Sequence, residues 1–226
     1  MEEFNLDIKN KKPKELYILP LRDIVIYPGM ILPLPIGREK SLKTITKVVD
    51  EDKMIALIPQ KKANKENVDK NDLYQYGTLG IIHKVLRAPD ETIRIVVQSI
   101  SRIKIKDFIE DKEYLRVKVE YPKIINKNEY QNEIKALIKS IINLFTKVTS
   151  ILTFLPQDVL ITAMNIEDPE KLAYYVASNL QLSLEEHYKI LEISDLKLKL
   201  EKLVEFLSKE IYFLELGKKN SIRSSR

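Results

Sequence analysis

The chain has 226 residues, 44% hydrophobic and 31% charged, enough for one sizeable core or two smaller ones. Its formal charge is +5, but Lys218, Lys219, Arg223 and Arg226 carry four of those charges; subtracting them leaves +1 for residues 1–217, too balanced for a phosphate-tracking groove. The absence of Cys excludes disulfides, thiol catalysis and thiolate metal sites, and fits a reducing cytoplasm.

Residues 1–14 are polar, Lys-rich and aperiodic, the pattern of a disordered leader. Glu2, Glu3 and Asp7 replace the basic n-region of a signal peptide. From Leu16 to Tyr121 the apolar residues form short β-branched runs between turn residues, and eight of the ten prolines fall in the first 122 positions, as in an all-β lobe. Strands are expected at 16–19, 31–36, 54–58, 78–86, 93–97, 102–108 and 115–119. The tetrapeptide Ala88-Pro89-Asp90-Glu91 reads as a hairpin turn. Ile103 and Ile105 alternate with Arg102, Lys104 and Lys106, predicting one buried face and one basic, solvated face. One inserted helix is expected at 38–49, with Leu42, Ile45 and Val49 as its apolar stripe, and 61–71 reads as an exposed loop.

After Pro122 the period changes from two to 3.6. Ile134, Leu137, Ile138, Ile141 and Phe145 make a helical stripe that ends near Pro156. Asp168-Pro169 places a capping acid before a first-turn proline, with Leu172, Val176 and Leu180 on one face, and Ser183 and Glu186 have capping-box spacing. The last helix begins near Ser194, where Leu200, Leu207 and Leu214 keep a heptad compatible with a coiled-coil arm or with bundle packing. The longest uncharged run, 148–157, is about half of the roughly 20 residues that span a bilayer, so no membrane partner is expected.

No catalytic constellation emerges. The glycines Gly29, Gly37, Gly77, Gly80 and Gly217 are not spaced for a phosphate-binding loop. Lys40-Ser41 sits at a helix start, where Ser serves the backbone. His83 and His187, the two histidines, fall in different lobes and do not make a metal site. Glu185-Glu186 and Asp50-Glu51-Asp52 read as solvated charge.

The segments Leu19-Pro20-Leu21-Arg22-Asp23, Tyr27-Pro28-Gly29-Met30 and Pro33-Leu34-Pro35-Ile36-Gly37-Arg38-Glu39-Lys40-Ser41, followed by Gln60-Lys61, Asp72-Leu73-Tyr74, Gly77-Thr78 and Pro89-Asp90, resemble the N-terminal domain of the ATP-dependent protease Lon. The likeness covers about residues 15–217 and extends to Asp168-Pro169, Leu172-Ala173, Ala177-Ser178 and the final helix near Glu210-Ile211. Glu91 stands where the family usually has Gly, and Tyr174 where it usually has an acid. The resemblance implies an α+β fold: a PUA-like β-barrel or sheet lobe with one inserted helix over 15–122, an α-helical bundle ending in a long helix over 123–217, and a basic tail at 218–226 where the chain is cut short.

The resemblance also implies a non-catalytic role: recognising and tethering unfolded or damaged proteins for an AAA+ motor and a Ser-Lys protease domain in a cytoplasmic parent enzyme. ATP and Mg would belong to that parent, with no cofactor or metal in this chain, and the parent's hexamer would supply self-association. The isolated chain is expected to be a monomer or weak dimer. A receptor for unfolded chains needs accessible apolar surface. The candidates are Met30, Ile31, Pro33 and Leu34 on the proline-rich edge, with Arg38, Glu39 and Lys40 as a polar rim. The alternatives are a free-standing Lon-like adaptor or ligand-binding domain and an RNA-binding module; the near-neutral body and few basic-aromatic clusters count against nucleic acid.

Overall fold

The computed structural model describes residues 12–90, 92–152 and 154–224. Most of the expected leader, Glu91 of the hairpin turn and the end of the basic tail lie outside those residues. The chain divides after Pro122 into two compact units.

The first unit contains β1 (Glu15–Leu21), β2 (Ile31–Ile36), α1 (Glu39–Asp50), β3 (Met54–Pro59), β4 (Tyr76–Arg87), β5 (Ile93–Ile109) and β6 (Arg116–Glu120). They form one mixed sheet in the order β2-β5-β4-β3-β1-β6, and β6 also pairs with β5. β1 and β3 run parallel, joined by the crossover through β2 and α1. One apolar cluster contains Leu16, Ile18, Ala56, Ile58, Leu79, Ile103 and Val117. A second contains Leu19, Leu21, Leu34, Ile36, Ile45, Val48, Ile55, Leu57 and Val97. β3 alternates between the two clusters, so all six of its residues are buried, and it reads as an apolar run without polar alternation.

β5 differs most from the expectation. It is one 17-residue strand where two were expected, because Gln98 to Ser101 resembles a turn in composition yet continues the ladder with β4. Its pairing with β4 slips twice, between Leu79 and Gly80 and between Ile82 and Lys84, and its pairing with β6 slips between Ile105 and Asp107. Such bulges bend a strand, letting the first half of β5 pair with β2 and the second half with β6. The basic face expected there is also interrupted: Arg102 is buried, donates to the Pro122 carbonyl at 3.4 Å and lies over the Tyr76 ring.

β2 is the edge strand. Tyr27-Pro28-Gly29-Met30 turns the chain into it, with the Met30 N–H on the Tyr27 carbonyl at 3.2 Å and Gly29 at φ +90°. The Met30 carbonyl accepts from Ser99 N–H at 2.8 Å. By strand alternation the backbone groups of Leu32, Leu34 and Ile36 then face β5, while those of Ile31, Pro33 and Pro35 face outward. In α1 the buried residues are Ser41, Thr44, Ile45 and Val48; Leu42 and Val49 of the expected stripe are half-buried against the same core.

The second unit contains α2 (Gln131–Ile151), α3 (Gln157–Met164), α4 (Pro169–Ser178), α5 (Leu184–Glu192) and α6 (Leu196–Ser224). α3 was not expected from the sequence; only Ala163 of its eight residues is buried, which leaves a weak apolar stripe. Both caps form as the spacing predicts: Asp168 accepts from Lys171 N–H at 2.9 Å, and Ser183 and Glu186 exchange hydrogen bonds. Leu196, Leu200, Leu203 and Leu207 of α6 are buried. Lys199 is buried among them, donating to the Tyr174 hydroxyl and the Ile190 carbonyl, both at 2.7 Å, and Tyr174 in turn donates to Glu170 at 2.8 Å.

Candidate functional site

Two of the segments that carried the resemblance meet at one end of the sheet. Residues 19–24, at the end of β1, and 34–38, leading from β2 into α1, line one wall of a cleft with Ser41, with a cavity volume of about 110 Å³. A second cavity of about 110 Å³ shares Pro20, Arg38 and Ser41 and continues past Lys40, Thr44 and Glu66 to Tyr114. Arg38 therefore stands between the two.

Its position follows from α1. Arg38 is the N-cap residue, with extended backbone and no side-chain cap, so it leaves the strand and points inward before the helix begins. Only 10% of its side chain is exposed. Nη2 donates to Gln60 Oε1 at 2.7 Å and to the Lys65 carbonyl at 3.3 Å. Gln60 is fully buried and directs Nε2 at the carbonyls of Lys62, Ala63 and Lys65, 2.5 to 3.3 Å away, tying down the polar 61–71 stretch. A capping box at Asp69 and Asp72 and the Lys65–Asp72 contact at 2.8 Å close that loop. The backbone N–H of Asp69 and the Lys65 ammonium hold the Asp72 carboxyl below its usual value.

Glu66, on the same loop, forms a two-pronged pair with Arg22, both contacts at 2.8 Å, and approaches Arg38 Nε at 3.9 Å. The hydrogen bond from Arg22 is the main cause of the lowered Glu66 carboxyl. Burial, then the neighbouring Arg22 charge, weakens Arg38's hold on its proton, and Glu66 opposes both.

The seven sequence candidates divide. Ile31 is 63% exposed, and Pro33 is exposed beside it on the outer edge. Glu39 and Lys40 are exposed in the first turn of α1, where Glu39 pairs with Lys43 at 3.4 Å. Met30 is half-buried, its sulfur accepting the Tyr27 N–H at 3.1 Å. Two are corrections. Leu34 is a core residue, because alternation along β2 turns its side chain into the apolar cluster. Arg38 is the floor of the cleft rather than its rim, because its Nη2 turns inward to Gln60 and the loop. Arg22, Gln60 and Glu66 escaped the sequence reading as site residues; Glu66 lay in a segment whose only signal was polarity.

Elsewhere, Ser41 is buried while Lys40 is exposed. His83 is exposed and bonded to Gln98 at 2.8 Å, whereas burial lowers the pKa of His187 in the second unit. Among the described residues no group of three or more His, Asp or Glu could hold a metal ion, and no helix is long and apolar enough to cross a membrane.

The fold defines the class. It is similar to the N-terminal domain of a Mycobacterium avium complex Lon protease, with TM-score 0.71 at 19% identity, covering 86% of this chain and 98% of that one. It is also similar to a Lon N-terminal domain protein from Xanthomonas campestris, with TM-score 0.56 at 14% identity, covering 85% and 98%. The family model described as the ATP-dependent protease La (LON) substrate-binding domain matches residues 15–209, and the chain belongs to that family. A Lon protease of Dictyoglomus thermophilum is 39% identical over 97% of this chain and 27% of its own length. The Lon protease of Escherichia coli strain K12 is 34% identical over 91% of this chain and 26% of its own length. The chain thus spans about a quarter of the curated relatives it matches, and the match lies in the substrate-binding domain, which is not the catalytic part.

Proposed function

We propose that this domain recognises and tethers extended segments of unfolded or damaged proteins for a cytoplasmic, ATP-dependent Ser-Lys protease of the Lon family. The observation that carries the reading is the convergence of two family segments, 19–24 and 34–41, on one cleft beside an exposed apolar edge, with Gln60 of a third segment bonded to Arg38 beneath it. Ile31 and Pro33 offer apolar contact with little sequence demand. Glu39 and Lys40 border it with charge. Each contact is weak, and the parent's ring of six copies, driven by ATP and Mg in its motor, would multiply it through effective concentration.

The test is titration of a labelled, reduced and alkylated unfolded protein against this chain and its Ile31→Asp/Pro33→Asp variant. Both positions are exposed, so the fold is kept, and the variant is expected to bind about tenfold more weakly, the equivalent of roughly 1.4 kcal/mol. Unchanged binding by the folded variant would remove β2 from the proposal.

A further inference from the structure

We propose that Arg22, Arg38 and the uncapped first turn of α1 form a receptor for a carboxylate of the bound polypeptide, a place that the chain's own Glu66 now fills. The inference rests on the substrate-binding reading for where that carboxylate comes from, and on three features of the cleft for the site itself. Arg38 is nine-tenths buried, and its Nε has no hydrogen-bond partner although Nη2 is well used. Nε faces Glu66 Oε2 at 3.9 Å, too far for a hydrogen bond, so an acid group lies in front of it without satisfying it. Both arginines reach the same carboxylate from different segments, Arg22 with its two terminal nitrogens and Arg38 with Nε. The N-terminus of α1 supplies the third feature: no side chain caps it, and an unsatisfied first turn favours an anion.

Glu66 is an occupant that can be displaced. Its side chain is 65% exposed and that of Arg22 43%, so their pair is screened by water and worth little. A carboxylate on a polypeptide already held at β2 would compete at high local concentration. It could place one oxygen on the Arg22 fork and the other closer to Arg38 Nε than Glu66 reaches, completing the bonding of a buried guanidinium. Arg22 lines one of the two cavities and Glu66 the other, with Arg38 and Ser41 common to both, so the carboxylate would sit where they adjoin. The substrate class this selects is an extended chain carrying a carboxylate next to apolar residues, either its own C-terminus or an Asp or Glu.

The test uses the isotopically labelled 226-residue chain, read by NMR at the Arg38 Nε–H and the backbone amides of residues 39–41. The probes are N-acetylglycine for a C-terminal carboxylate, N-acetyl-aspartic acid α-amide for a side chain, and neutral N-acetylglycinamide. The acids are expected to shift these signals, the stronger one identifying the source, and the neutral amide to leave them unmoved. Glu66→Gln, on an exposed loop position, should tighten acid binding about two- to fivefold, and Arg22→Gln should abolish it. Equal responses to the acids and the amide, or no effect of either variant, would overturn the proposal. The probes are too small to need the apolar edge, so failure here leaves unfolded-protein binding standing, and failure of that binding leaves this result readable.

Discussion

In the β unit one buried polar pair, Gln60 with Arg38, holds a loop, whereas in the helical unit buried Lys199 with Tyr174 ties helices to one another. Gln60 and Arg38 organise the 61–71 segment beside an open cleft. Lys199 and Tyr174 link α6, α4 and the end of α5 inside a packed interior. A polar network that organises a loop leaves surface around it where binding can arise, while one that joins helices is closed by packing.

Four substitutions test the contrast between the two units. The largest effect is expected from Gly77→Ala on β4, where an added Cβ would strike the Leu57 carbonyl oxygen and approach Ile58 Cδ1 at 2.5 Å. The backbone neighbour cannot yield, and a loss of about 3 kcal/mol is expected in urea unfolding. Gln60→Leu comes next at roughly 2 kcal/mol, with faster amide exchange through the 61–72 loop as its signature. If exchange in the loop stays slow, Gln60 does not organise it and the contrast between the units fails. Tyr174→Phe should cost about 1.5 kcal/mol by removing the hydroxyl between Glu170 and Lys199, measured by loss of helical circular dichroism on denaturation.

The smallest effect concerns pH. Burial pushes the Glu210 carboxyl above its usual value, the Gln181 N–H opposes this, and Glu186 adds to it. A raised carboxyl contributes stability that is complete below the unfolded-chain value and is lost as pH rises through the folded one. Glu210→Gln should therefore gain on the native protein between pH 4 and pH 7, by less than about 1 kcal/mol, in urea titrations at the two values. A difference that shrinks over that range would show that Glu210 is held as a favourable charge.

The helical unit was the more legible in sequence. Its caps at Asp168 and Ser183 are local, three-residue events, and its stripes repeat within one helix. α3 escaped because it buries a single alanine. In the β unit the strand positions were readable, but β5 looked like two strands because Ser99 and Ser101 suggest a turn until the bulges opposite β4 are known. Arg102 and Leu34 were misjudged for one reason: alternation gives two faces but does not say which one tertiary packing will cover. The site was legible only as family segments. Nothing local in Arg22, Gln60 or Glu66 reveals that they meet, since that depends on the parallel pairing of β1 with β3 and on the loop that follows it.

The outward edge of β2 bears on the domain's own solubility. At Pro33 and Pro35 it exposes carbonyls without N–H groups, so a strand laid against it could donate at those positions but find nothing to accept from. Two copies meeting edge to edge would oppose acceptor to acceptor. Were this edge to meet unfolded chains as proposed, it would touch them through its side chains without seeding a shared β-sheet, and so would resist being drawn into the aggregates such chains form.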